Sequence, residues 1–117
     1  MIQSPKILLK TTKGYIFQPL NEIMFFKSCD KYAEVHLINH SIATVFHSLS
    51  GLEEKLCCGA KVGFYCFFRC HRQFIGAIHF AAYWKESNGI ELENGAIIPV
   101  SRERVKPLRK LLHSIEM

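Results

Sequence analysis

Along most of the chain, apolar residues recur at every second position or in short runs cut by turn residues, which is the spacing of β-strands. Lys6-Ile7-Leu8-Leu9-Lys10 and Tyr15-Ile16-Phe17 flank Lys13-Gly14, and together they predict two strands joined by a hairpin tip. Glu22 to Lys27 is a further apolar run. Lys31 to Ile38 alternates, with Tyr32, Glu34, His36 and Ile38 on one side and Ala33, Val35 and Leu37 on the other. Ser28-Cys29-Asp30 joins these two strands, and Asn39-His40 turns the chain into the β-branched run Ile42 to Phe46.

The period then changes. Leu49, Leu52 and Leu56 recur at helical spacing, and Ser50 with Glu53 has the spacing of a capping box, so a short amphipathic helix is expected there. Beyond Gly59 and Gly63 the chain returns to strand-like runs at Phe64 to Phe68, near Phe74-Ile75 and at His79 to Trp84. Ser87-Asn88-Gly89 and Asn94-Gly95 bracket Ile90 to Glu93, and Ala96 to Val100 closes that hairpin, with type I′ geometry expected at Asn94-Gly95. Val105, Leu108, Leu111, Leu112 and Ile115 are helical in spacing again; Pro107 requires that helix to begin near Arg104, leaving Ser101-Arg102-Glu103 as a connector. The reading is one mainly β domain over 1–117, with about nine or ten short strands and two short helices.

Composition narrows the class. The chain of 117 residues is 49% apolar and 21% charged, and its nine Phe, four Tyr and one Trp give far more burial capacity than a disordered tail holds. No run approaches the roughly eighteen to twenty apolar residues of a membrane-spanning helix, so no membrane association is expected. Met1-Ile2-Gln3-Ser4-Pro5-Lys6 has no charged leader followed by an apolar stretch, which points to a cytoplasmic location. Five cysteines, with Cys57 and Cys58 adjacent, suit reduced thiols better than a set of bridges.

Fifteen Lys/Arg against ten Asp/Glu give a net charge of +5, and the excess is local. Arg102, Arg104, Lys106, Arg109 and Lys110 against Glu103 leave +4 within nine residues, so the remainder of the chain carries +1. Such a patch can attract a polyanion, whereas the competing reading is the solvated face of a C-terminal helix. Arg69-Cys70-His71-Arg72 forms a second basic cluster between apolar strands, with Arg72 the exposed member if strand pairing ends there. Thiol and imidazole side chains at Cys57-Cys58, Cys66 and Cys70-His71 could suggest zinc, but no pair has knuckle spacing, and Cys66 and Cys70 sit in apolar runs where small buried thiols are ordinary packing. No metal and no cofactor are expected. No orienting acid accompanies Cys70 or Cys29, so a Cys-His nucleophile has no support. His36 reads as a half-buried imidazole, His71 as a loop hydrogen-bond partner, and His40, His47 and His113 as surface residues. Phe25-Phe26, Phe64, Phe67-Phe68 and Phe80 read as core rather than as a base-stacking platform.

A series of segments carries a family resemblance. Phe68-Arg69-Cys70-His71-Arg72-Gln73-Phe74-Ile75, then an aromatic strand, then Leu92-Glu93-Asn94-Gly95-Ala96-Ile97-Ile98-Pro99-Val100-Ser101-Arg102 resembles the LytTR DNA-binding domain. Glu22 to Phe26, Lys31 to Leu37 and the helix from Ser48 to Leu56 follow the family's order, so the likeness runs from about Ile7 to Leu112. Two departures stand out: the family's serine is Gln73 here, and its valine-asparagine pair is Gly76-Ala77, which puts the loop from Gly76 to His79 in question.

The resemblance implies an elongated stack of small antiparallel sheets that touches DNA through loops at one edge, as found behind receiver domains in bacterial response regulators of two-component systems. No receiver domain or acidic phosphorylation pocket is expected in the chain itself. The implied function is non-catalytic, sequence-specific transcription regulation by reading the major groove of duplex DNA. Two direct-repeat half-sites are implied as the target, with weak homodimerisation on DNA. Carried over position by position, the implied contacts are Lys31, Arg72, Arg102 and Arg104, while Lys106 and Lys110 would touch phosphate. The alternative is a protein-interaction module that keeps the fold and has lost specific DNA recognition.

Overall fold

The computed structural model describes residues 5–56, 65–85 and 89–115; the predicted turn at Ser87-Asn88 and the residues Cys57, Cys58 and Phe64 lie outside these. The alternating runs form β1 (Lys6–Thr11), β2 (Gly14–Pro19), β3 (Ile23–Cys29), β4 (Tyr32–Leu37) and β5 (Ile42–Val45). After helix α1 (Leu49–Leu56) come β6 (Phe67–His71), β7 (Phe74–Ala77), β8 (Ala81–Lys85), β9 (Gly89–Leu92) and β10 (Ile97–Ile98), and the chain ends on α2 (Val105–Ile115).

The strands make three antiparallel sheets, ordered β1-β2, β5-β4-β3-β7-β6 and β10-β9-β8. The five-stranded sheet is the centre because both of its faces are apolar. On one face Ile23, Phe26, Ala33, Val35, Val45, Phe67 and Ile75 pack with Ile7 and Leu9 of the β1-β2 hairpin and with Leu49, Leu52 and Leu56 of α1. On the other face Met24, Cys70 and the half-buried Phe25, Phe68 and Phe74 pack with Ile90, Leu92 and Ile98 of the small sheet and with Leu108 of α2. Period-two alternation thus sends successive residues of one strand into two separate cores. Ala33 and Val35 are fully buried while Tyr32 is exposed, as the alternation predicts.

Several local expectations are corrected. Ser50 does not cap α1. Ser48 does, because its Oγ accepts the Gly51 N–H at 3.1 Å, two residues earlier than the capping-box spacing suggested. Asn94-Gly95 is not type I′, which needs left-handed φ at both positions. Only Gly95 is left-handed, at φ 91°, while Asn94 Oδ1 accepts the Ala96 N–H at 3.0 Å. The strand expected from His79 begins at Ala81, since Ile78–Phe80 form a 3-10 turn. Gly76 and Ala77 are not in a loop but close β7, paired with Phe25, Phe68 and Phe67. A side chain at Gly76 would bring Cβ to 3.1 Å from Ile98 Cδ1, so the residue lets the small sheet approach. Pro107 is the third residue of α2, which starts at Val105 after a 3-10 turn at Arg102–Arg104, so the proline stays within the first turn.

Candidate nucleic-acid interface

Strand pairing brings Lys31 and Arg72 to one end of the central sheet. Lys27 pairs with Glu34 on one side and Phe74 on the other, so the β3-β4 and β6-β7 turns lie side by side at the same end. Their tips are Asp30-Lys31 and Arg72-Gln73, and the Ser28 N–H donates to the Gln73 carbonyl at 2.9 Å, tying the base of one turn to the other. Lys31 and Arg72 are both exposed. Outside β6, the edge strand, the Ser101 N–H donates to the Cys70 carbonyl at 2.9 Å and sets the Arg102–Arg104 turn beside the same end. Asp30 holds φ 55° at its tip, a left-handed conformation that Asp tolerates.

The candidates then divide. Lys31, Arg72 and Arg102 are exposed on the rim, and Lys106 and Lys110 are exposed one turn apart on α2, on the side away from buried Leu108. Arg104 is half-buried, and its charge reaches Cys70. Burial pushes that thiol up to about 12, against smaller opposing effects from a Gly76 backbone hydrogen bond and from Arg104, so Cys70 is a protonated packing group. The ion pairs seen among the described residues are His36–Glu34 and Arg69–Glu53, so no carboxylate among the described residues is paired with a candidate cation. Lys27, exposed on β3 beside the same turns, joins the rim; its place in an apolar run hid it from the sequence pattern.

The basic cluster on β6 resolves into two different jobs. His71↔Phe74 is the last pair of the β6-β7 hairpin, so Arg72 projects from the turn. The His71 ring accepts the Gln73 N–H at Nδ1, 3.2 Å away, the loop hydrogen bond that its position suggested. Arg69, three residues earlier, is mostly covered and turned toward α1, where it meets Ser50 and Glu53. The spacing of Ser50 and Glu53 was a usable signal, but for an arginine partner rather than a cap.

Other titratable groups behave structurally. His36 stacks on Phe25 with centroids 4.2 Å apart and lies 3.2 Å from Glu34, a satisfied half-buried imidazole. His47 was expected at the surface; it is half-buried and its Nε2 accepts the Lys10 N–H at 3.0 Å, so it links β1 to the end of β5. Burial and the charge of Lys55 hold it below its ordinary value. His79 sits among Tyr65, Phe67 and Phe80 and receives the Cys66 N–H at 3.0 Å. Burial lowers its pKa against the opposing influence of the Cys66 backbone and Glu93. No helix among the described residues is long and apolar enough to cross a membrane.

Comparison with known proteins agrees with this geometry. The family model described as the LytTr DNA-binding domain matches residues 13–113. A solved structure, the LytTr DNA-binding domain of a putative methyl-accepting/DNA response regulator from Bacillus cereus, is similar at a TM-score of 0.71 and 29% identity, over 93% of this chain and 97% of that one. No curated protein matches the chain.

Proposed function

The chain belongs to the LytTR DNA-binding domain family, and from that premise we propose that it reads duplex DNA sequence-specifically and without catalysis, through side chains of the sheet-end turns placed in the major groove. The observation that carries this reading is the convergence of Lys31, Arg72 and Arg102 on one end of the sheet with no carboxylate of the described residues paired to them. Turns suit the task because a rigid sheet aims short projections whose own conformations are held by strand pairing. In this role Arg72 and Arg102 donate to guanine O6 and N7, each contributing about 1–3 kcal/mol of base discrimination. Lys31 and Arg104 flank them. Lys106 and Lys110 contact phosphate, which sets affinity and its salt dependence without selecting sequence. Physiologically the domain acts as the cytoplasmic effector of a bacterial response regulator, occupying two direct-repeat half-sites and pairing weakly on DNA.

The departure at Gly76-Ala77 is what makes a protein-interaction module possible as the alternative. Those residues lie inside β7 and the Arg72 turn precedes them, so the departure leaves the turn intact. Selection of bound duplexes from a random pool tests the proposal. One enriched sequence, with affinity falling as salt rises, is the expected result; uniform weak binding of all duplexes overturns it in favour of the interaction module.

A further inference from the structure

A reading side chain on a two-residue turn is useful only if the turn itself is held still, and the structure contains a device that does this. The Arg69 side chain is 15% exposed, and its Nη1 donates to Glu53 Oε1 at 2.9 Å and to Ser50 Oγ at 3.1 Å, both on α1. Its Nη2 donates to the main-chain carbonyl of Arg72 at 2.6 Å. One guanidinium therefore bridges a helix on one face of the sheet to the tip of the β6-β7 turn. The turn is tied twice more, by the Gln73 N–H to His71 Nδ1 and by the Ser28 N–H to the Gln73 carbonyl. All three ties engage main-chain groups of the turn and leave the Arg72 side chain projecting into solvent.

We propose that Arg69 is a positioning residue for DNA recognition, with α1 as its anchor: Glu53 and Ser50 orient the guanidinium, which holds the Arg72 carbonyl and so aims the Arg72 side chain. The inference rests on the assignment of Arg72 as a base reader. Arginine is required because its planar fork donates in two directions at once, to the helix and to the turn; a lysine ammonium at the same position reaches one or the other. A binding group must be held to within about 0.5 Å to keep its specificity, so a loosened turn costs selectivity while the protein keeps its charge.

The test compares Arg69→Lys, Glu53→Ala and Arg72→Ala in the full chain. The ratio of affinities for a selected duplex and a scrambled duplex is measured as a function of salt, together with amide 15N order parameters at Arg72 and Gln73. Expected for Arg69→Lys is a fall of about tenfold in the ratio, with scrambled-duplex affinity and salt slope unchanged and turn order parameters dropping toward about 0.6. Glu53→Ala leaves β6 intact and should produce the same pattern more weakly, and it carries the test if Arg69→Lys does not fold. A ratio kept by both variants while Arg72→Ala loses it overturns the positioning role, as does a turn that stays rigid. If Arg72→Ala itself keeps the ratio, the base-reading assignment fails and the positioning role falls with it, even where the turn loosens.

Discussion

The two ends of the central sheet are built from the same parts and carry opposite chemistry. At one end the β3-β4 turn holds Asp30 at φ 55°, and at the other the β4-β5 turn holds His40 at φ 69°. The first end gathers Lys27, Lys31, Arg72 and the Arg102–Arg104 turn, tempered by Asp30 and Glu103. At the far end Met24, Ile38, His40, Phe80, Glu93 and Asn94 line a shallow hollow, and the Glu22 carbonyl accepts the Ile38 N–H beside it. Both hairpins close on a left-handed turn residue, Asp30 at one end and His40 at the other, so turn geometry does not depend on the cations. In the proposed reading they serve binding, and their clustering concentrates positive charge at that end.

The heaviest way to break this contrast is to unseat α2, which carries Lys106 and Lys110. Leu108 is fully buried against the small sheet and β6, so Leu108→Ala should destabilise the domain by about 2–5 kcal/mol, read as a lower urea midpoint. Arg72→Ala should cost about 1–3 kcal/mol of discrimination between the selected duplex and single-base variants at one position. Preference unchanged at every position would remove Arg72 from the reading surface. Neutralising Lys106 and Lys110 together should weaken all duplexes alike and make the slope of log affinity against log salt shallower by about 1.8; a sequence-dependent loss would mean that they touch bases.

A pH titration separates stability from binding. Burial holds His79 below its ordinary 6.5, so the unfolded chain binds the proton more readily than the folded one. The stabilisation is complete above pH 6.5 and is lost as pH falls through the lower folded value. The melting temperature should decline from pH 7 to pH 5, and less steeply in His79→Gln. The smallest effect belongs to the far end: Glu93→Gln should leave duplex affinity and preference unchanged, and a measurable change would end the idea that only one pole meets DNA.

Much of the fold was legible because burial and period are local properties. The alternation of Ala33, Val35 and Leu37, the hairpin signals and the leucine spacings of both helices each report which face must leave water, and the structure buries those faces. The motif series around Arg69 to Arg72 was equally readable, down to the loop hydrogen bond of His71. The strand placement of Gly76-Ala77 and the burial of His47 were not, because each depends on a neighbour from elsewhere in the chain, whereas the cap of α1 is local, from Ser48 to Gly51, and the spacing pattern placed it two residues too late.

The sequence by itself determined the strand and helix content, the turn positions and the presence of cationic clusters, since residue type and spacing decide these within a few positions. Only the tertiary structure decided that Arg69 is paired with Glu53 and Arg72 is exposed. That distinction requires Ser50 and Glu53, nineteen and sixteen residues away, to be laid across β6. It also decided that turns distant in the chain share one end of a sheet, because contact through space is set by strand pairing and packing, on which a local pattern of residues is silent.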